Sequence, residues 1–164
     1  MEKSTGSNES LSRPAVYLIS TVYLVTAVLL FYVLCAVWPG EHDNRAAVVL
    51  FRWHMEWSAD VRLIWLVVIT SALGSYVHTV TSFTLYAGNG NLFPSWLAWY
   101  LLRPAVSAAL ALIFFFVLRA GLFSGTAADQ MINPSGIAAI SGMVGMFSKQ
   151  ATEKLSKIFD TIFT

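Results

Sequence analysis

Long stretches without a charged side chain constrain the fold of this chain more than any other feature. No Asp, Glu, Lys or Arg occurs in the 27 residues between Arg13 and Glu41, or in the 40 residues between Arg62 and Arg103. A helix needs about 20 consecutive, mostly apolar residues to cross a bilayer. The 164-residue chain is 57% hydrophobic and 12% charged, too apolar for a water-soluble domain of this size to bury. The pattern therefore predicts an integral membrane protein.

The charge-free stretches predict two transmembrane helices after a polar N-terminal segment, residues 1–14. The first helix is placed at about Ala15–Trp38, before a Pro-Gly pair that would stop it. The second is placed at about Val61–Tyr86. Ser58 is suited to the N-cap of this helix, and Asp60 suits the positive end of its dipole.

Arg103-Pro104 allows two interpretations of the third apolar stretch. Either a short interfacial helix ends at Arg103 and a transmembrane helix begins at Pro104, or one kinked helix runs over Ser95–Phe123. We favour a third transmembrane helix over about Leu102–Leu122, because Arg103 and Arg119 can then reach opposite interfaces.

Shorter apolar segments complete the predicted transmembrane domain, residues 15–147. Asn133 precedes a proline, as an N-cap does, but the apolar run Ile137–Phe147 is too short for an ordinary span. We predict a re-entrant half-helix, a helix buried among its neighbours, or a lengthened fourth span. Arg45–Trp57 is predicted to be an amphipathic helix on the membrane surface. Its apolar residues at helical spacing are Ala46, Val49, Leu50, Trp53 and Trp57.

The last segment, residues 148–164, is predicted to be a cytoplasmic amphipathic helix. Apolar residues recur at helical spacing from Phe147 to Phe163. Lys and Arg are enriched on the cytoplasmic side of membrane proteins. Their counts on the two sides are seven against three for three spans, and six against four for four spans. Both counts place the C-terminus of a multi-pass protein in the cytoplasm and leave the side of the N-terminus open.

Small and polar residues follow one side of the second helix and recur in the short apolar segment. Such residues let membrane helices pack closely, or they line a watery path between subunits. Both interpretations apply to Ser71, Gly74, Ser75, His78 and Ser82 in the second helix, and to Asn133, Gly142 and Gly145 in the short segment. In the second interpretation, several copies of Asn133–Phe147 meet at a symmetry axis.

Arg103 and Arg119 bracket the third apolar stretch, and Trp99 precedes it by one helical turn. Such residues anchor a helix in the membrane interface. The alternative is that the arginines contact a lipid headgroup or another anion.

The sequence contains no recognisable catalytic or metal-binding pattern. Cys35 is the only cysteine, and neither His42 nor His54 has a second histidine four residues away. Phosphate-binding, dinucleotide-binding and serine-hydrolase motifs are missing from the sequence. A net charge of +1 offers no electrostatic case for nucleic acid. We therefore predict no enzyme, no catalytic residue, no metal, no cofactor and no nucleic-acid partner.

Two stretches of the C-terminal half resemble a known group of proteins. They are Trp99–Pro104 with the Ala-Leu-Ala-Leu run at 109–112, and Asn133-Pro134 with the glycine-containing segments at 136–139 and 145–148 and the tail residues 154–160. Together they resemble an uncharacterised family of small bacterial inner-membrane proteins over roughly residues 96–164. The resemblance implies a location in the inner (plasma) membrane and implies no role for any residue.

These observations predict an all-α, polytopic membrane helix bundle. It has three transmembrane helices, a short apolar segment that is re-entrant or a fourth span, and a C-terminal amphipathic helix. The predicted function is a homo-oligomeric pore or channel for ions or small solutes, because one chain of this size is too small to enclose a path. The alternative is a non-conducting membrane scaffold or partner subunit, which binds a protein partner through its C-terminal helix. The lipid bilayer is a partner in both.

Overall fold

The chain folds into a bundle of helices with one small β-hairpin. The computed structural model describes residues 11–39, 47–90, 92–120 and 133–163. In chain order the elements of this part are α1 (Arg13–Val37), β1 (Ala47–Leu50), β2 (Trp53–Glu56), α2 (Ala59–Gly88), α3 (Leu97–Arg119), α4 (Pro134–Met146) and α5 (Ser148–Phe163). Three of the helices, α1, α2 and α3, are long and apolar enough to cross a membrane. The predicted helical class with three candidate spans is confirmed.

The second long helix, α2, is the centre of the bundle. It contacts α1, α3 and α4. In the most apolar 18-residue stretch of α2, 44% of the residues are buried, whereas the corresponding fraction in α1 is 6%. The predicted start of α2 is confirmed, since the Ser58 side chain accepts a hydrogen bond from the Val61 N–H and Asp60 lies in the first turn. The predicted bounds of α1 and α2 lie within two residues of those observed.

Consecutive long helices run antiparallel, so the start of α1, the end of α2 and the start of α3 lie at the same end of the bundle. At this end Phe83, Leu92 and Tyr100 form a buried cluster against the first turns of α1. The Leu11 N–H also donates a hydrogen bond to the Leu92 carbonyl at 2.9 Å. This end, called the Tyr100 end below, therefore joins the start of α1 to the connection between α2 and α3.

The opposite end, called the hairpin end below, combines apolar packing with a buried arginine. Val37, Val48 and Ile69 pack together there. Arg62, only 6% exposed, donates a hydrogen bond from Nη2 to the Trp38 carbonyl at 3.0 Å. The last carbonyls of a helix lack partners within that helix and carry partial negative charge. Arg62 therefore ties α2 to the C-terminal end of α1.

The segment predicted as an amphipathic surface helix forms a β-hairpin instead. β1 and β2 pair antiparallel, with Ala47 opposite Glu56 and Leu50 opposite Trp53. The helix prediction for Arg45–Trp57 is therefore wrong across residues 47–56, and residues 45 and 46 lie outside the described ranges.

Tertiary contacts explain why the hairpin replaces a helix. Adjacent β-branched residues, Val48 and Val49, favour extended backbone, and Val48 is completely buried. Phe51, in the two-residue turn, has a positive φ of 56° that non-glycine residues seldom adopt. The Phe51 N–H donates to the Tyr32 hydroxyl at 2.8 Å, so α1 supports the turn.

The third long helix begins earlier than expected. α3 starts at Leu97, directly after a 3-10 turn at Pro94–Trp96, and continues through Pro104. The favoured start at Leu102 is therefore wrong. Proline removes one backbone N–H from the helix, and packing can offset that loss. Tyr100 is 6% exposed within the apolar cluster of its end, which holds the first turn of α3 in place.

The short helix α4 lies against the middle of the bundle. Its side chain Ile137 packs in the cluster of Val67 and Phe115, nearer the hairpin end, whereas the Gly145 carbonyl accepts a hydrogen bond from the Ser107 hydroxyl. We infer that α4 enters from the hairpin end and stops near mid-bundle. Its 13 residues span about 20 Å, too little to cross a bilayer.

The predicted C-terminal helix is observed as α5. Ala151 and Leu155 are buried, whereas Lys149, Glu153 and Lys154 are exposed. Helix α5 contacts both α3 and α4. The buried side of α5 therefore already packs against its own chain, and the charged side faces outward.

The backbones of α2 and α4 approach so closely that glycine is required at two positions. A Cβ atom at Gly74 would overlap the Gly142 carbonyl, and one at Gly145 would overlap the Ser71 carbonyl. By contrast, a Cβ at Gly142 would lie an ordinary 3.6 Å from the Thr70 carbonyl oxygen. The contact therefore depends on one glycine from each helix.

We predict that Gly74→Ala and Gly145→Ala each destabilise the protein by about 1–3 kcal/mol, because backbone atoms must move to admit the methyl group. Gly142→Ala is the matched control. It should leave stability unchanged or raise it by up to about 1 kcal/mol, since alanine favours a helix. Denaturant unfolding in detergent measures the difference. Equal effects of all three substitutions would contradict this packing.

Candidate functional site

Four of the residues predicted to line a path, Ser71, Gly74, Gly142 and Gly145, lie where α2 meets α4. Ser75 follows Ser71 by four residues on α2, and both serines are completely buried. Gly74 and Gly145 are covered by the backbone of the facing helix in the same chain. Because glycine has no side chain, Gly74 and Gly145 allow α2 and α4 of one chain to pack closely.

The other three predicted path residues lie elsewhere. His78 and Ser82 are half-buried and lie further toward the Tyr100 end of α2. Asn133 is exposed and caps α4, since its side chain accepts a hydrogen bond from the Ser135 N–H at 2.9 Å. The predicted N-cap is confirmed. The eight residues are therefore divided among a packing contact, one end of α2 and a helix cap.

Several buried hydroxyl groups of α2 have no hydrogen-bond partner. Among the described residues, nothing bonds to the hydroxyl oxygens of Ser71, Ser75 and Thr79. Thr70 differs, because its hydroxyl donates to the Leu66 carbonyl at 2.7 Å. An unpartnered buried hydroxyl opposes folding, whereas a bonded one does not.

The two arginines predicted at the interfaces have different surroundings. Arg119 lies at the hairpin end and pairs with Asp60 at 2.8 Å, with side chains 43% and 63% exposed. Its guanidinium also lies 6.0 Å from the centre of the Phe115 ring. An exposed ion pair of this kind stabilises by less than about 1 kcal/mol.

Arg103 belongs to a cavity of about 410 Å³ near the Tyr100 end. We call this cavity the Arg103 pocket. It combines four aromatic side chains, two serine hydroxyls and one guanidinium. The lining residues are Ser82, Tyr86, Ser95, Trp96, Trp99, Tyr100 and Arg103. The sequence pattern predicted that Trp99 accompanies Arg103, whereas the contributions of Tyr86, Ser95, Trp96 and Tyr100 depend on the fold.

Secondary structure accounts for the composition of the Arg103 pocket. Side chains on an α-helix lean toward its N-terminus, so Arg103 leans toward Trp99 and Trp96. Ser82 and Tyr86 are four residues apart on α2 and so share a face. Aromatic contacts support the wall, because the Trp96 ring packs edge-on against Tyr86 with centroids 4.7 Å apart.

A second feature that the sequence pattern did not predict is an apolar exposed side of α3. Five exposed residues at spacings of three and four share this side, which we call the α3 outer face: Leu102, Ala105, Ala109, Ile113 and Phe116. The two alanines form a small-xxx-small pair, like the glycines and serines between α2 and α4. Only the tertiary structure shows that the alanine pair of α3 faces outward, whereas the pairs of α2 and α4 face each other.

Neither metal ligands nor known relatives add to this geometry. Across the described ranges, no three His, Cys, Asp or Glu side chains come together as a metal site would require. No protein-family model, curated protein or solved structure matches the chain. The resemblance to small bacterial inner-membrane proteins therefore stays a prediction.

We predict that Ser71→Ala, Ser75→Ala and Thr79→Val leave stability unchanged or raise it by up to about 1–3 kcal/mol, because each removes an unpartnered buried hydroxyl. Ser107→Ala is the control that removes a bonded hydroxyl and should lower stability slightly. Unfolding in detergent measures all four. A loss above about 1 kcal/mol in the first three would reveal a hidden partner of the hydroxyl.

Proposed function

We propose that this chain is a non-conducting, self-associating scaffold of the membrane. One observation carries the proposal: the small and hydroxylated residues of α2 and α4 are buried against each other in one chain. Residues covered in this way are not free to line a path between subunits. A pore would have to form along other surfaces.

In the proposed arrangement α1, α2 and α3 cross the membrane, α4 enters from the hairpin end without crossing, and α5 returns toward that end, since Ala151 packs with Val67 and Phe115. The hairpin end then has seven Lys and Arg residues, counting Arg45 of the first loop, and the other side has Lys3, Arg13 and Arg103. The positive-inside rule places the hairpin end in the cytoplasm and the N-terminus outside. We propose the inner (plasma) membrane as the host membrane, as the resemblance to small bacterial inner-membrane proteins implies.

The α3 outer face supports self-association. In a bilayer, helices associate through close packing rather than through apolar burial, and alanines let two backbones approach. Ala105 and Ala109 provide this approach, with Leu102 and Phe116 on the same face to fill the space beside them. Two parallel copies present the same face to each other, so the expected assembly is a symmetric dimer.

The same face argues against conduction. All five of its side chains are apolar, and an apolar constriction excludes water and ions. Each copy would also present the charged side of α5, on which Glu153 and Lys154 are exposed. The scaffold would thus display two such helices at a spacing set by the dimer.

We predict that Ala105→Leu and Ala109→Leu separate the dimer into monomers, because the larger side chains keep the two helices apart. Ala139→Leu makes the same change at an exposed position of α4 and should leave the dimer intact. The mass of the purified protein in mild detergent, corrected for bound detergent, measures the state.

Other masses would decide against the proposal. A wild-type monomer would exclude self-association, and an unchanged dimer in all three variants would exclude the α3 outer face. A species of four or more copies that carries ions in liposomes would instead support a pore.

The topology has its own test. In a Cys35→Ser background, we expect Asn89→Cys to react with a membrane-impermeant maleimide added outside intact cells, since Asn89 is exposed at the Tyr100 end. Ser156→Cys, exposed on α5, should react only after the membrane is opened. Labelling of both from outside would mean that α4 crosses the membrane.

A further inference from the structure

We propose that the Arg103 pocket binds a phosphate group, carried by a lipid headgroup or present as free phosphate. The site does not depend on self-association. Its relation to lipid does rest on the proposed membrane insertion, so the test below separates the two.

The unpaired charge of Arg103 is the first argument. Among the described residues, its guanidinium has no hydrogen-bond partner and no carboxylate, and its Nε is buried without a partner. Arg62 also has a buried Nε without a partner, but its Nη2 donates to the Trp38 carbonyl, and Arg119 pairs with Asp60. Arg103 differs because no other nitrogen of its guanidinium has a partner among the described residues. A half-buried guanidinium without a partner favours an anionic ligand.

The other groups around the pocket suit a phosphate. Ser82, Ser95 and Tyr86 bring hydroxyl groups that can donate to its oxygens. The pocket also adjoins the N-terminal end of α3, where the helix dipole favours negative charge, because Ser95 and Trp96 immediately precede Leu97. These donors add to the guanidinium, whose planar fork matches two phosphate oxygens.

The depth of the pocket fits a phospholipid. Arg103 is six residues into α3, which corresponds to about 9 Å along the helix. Its side chain leans toward the helix start and so toward the headgroup layer. Trp96 and Trp99 lie on that path, and tryptophan favours the level of the headgroups. The lipid phosphate would then lie between the guanidinium and the indole rings.

The test titrates purified protein in neutral detergent with three probes and follows binding by native mass spectrometry. Phosphatidylglycerol has a phosphate, diacylglycerol lacks one, and inorganic phosphate has no acyl chain. We expect one tightly bound phosphatidylglycerol and no bound diacylglycerol. If inorganic phosphate also binds or displaces the lipid, the pocket recognises the phosphate alone. If it does neither, the site requires the lipid.

Arg103→Gln should weaken phosphatidylglycerol binding at least about tenfold, because it removes charge-assisted hydrogen bonds. Arg13→Gln is the matched control, since Arg13 is an exposed arginine at the same end of the bundle and should bind as wild type. Ser82→Leu fills the pocket without changing charge and should also lose binding. Thermal unfolding in detergent identifies any variant that fails to fold.

Three results would overturn the proposal. The first is equal binding of phosphatidylglycerol and diacylglycerol without phosphate binding. The second is an equal loss in Arg13→Gln and Arg103→Gln, which would mean general attraction to charge. The third is unchanged affinity in folded Arg103→Gln and Ser82→Leu. Failure of the dimer test leaves this site unaffected, so the two proposals fail separately.

Discussion

The close contact between the backbones of α2 and α4 is the constraint on which the rest of this structure depends. Gly74 and Gly145 each face a carbonyl of the other helix, at a distance where a methyl group would not fit. The contact brings the Gly145 carbonyl to Ser107 and Ile137 to the cluster of Val67, so α3 and α4 share one core with α2. In a membrane such packing is a main source of helix association, since lipid is as apolar as the side chains.

Three arginines show how the same residue acts differently in one bundle. Arg62 stabilises the end of α1 through the Trp38 carbonyl, and Arg119 pairs with an exposed Asp60. Arg103 has neither kind of partner among the described residues and lies beside aromatic rings and hydroxyl groups. Because isolated charge in an apolar environment is costly, this difference supports the Arg103 pocket, rather than Arg62 or Arg119, as the proposed anion site.

The hairpin and the start of α3 show where local pattern misleads. Val49, Leu50 and Trp53 have helical spacing, yet burial of Val48 against Val37 and Ile69 and the hydrogen bond from Phe51 to Tyr32 favour a hairpin. These contacts join residues far apart in sequence, so the spacing of apolar residues within one segment does not reveal them. The contribution of Tyr86 to the Arg103 pocket was missed for a related reason, since Tyr86 comes from a different helix.

The sequence by itself determined the helical class of this protein and the limits of its first two long helices. Uncharged runs long enough to cross a bilayer, and caps at Ser58 and Asn133, depend only on neighbouring residues. Only the tertiary structure decided which small residues face inward. Gly142 and Gly145 lie against α2, whereas Ala105 and Ala109 face outward, although both pairs consist of small residues on helices. The physical reason is that helix packing fixes the rotation of each helix, which the spacing of residues within one helix leaves free.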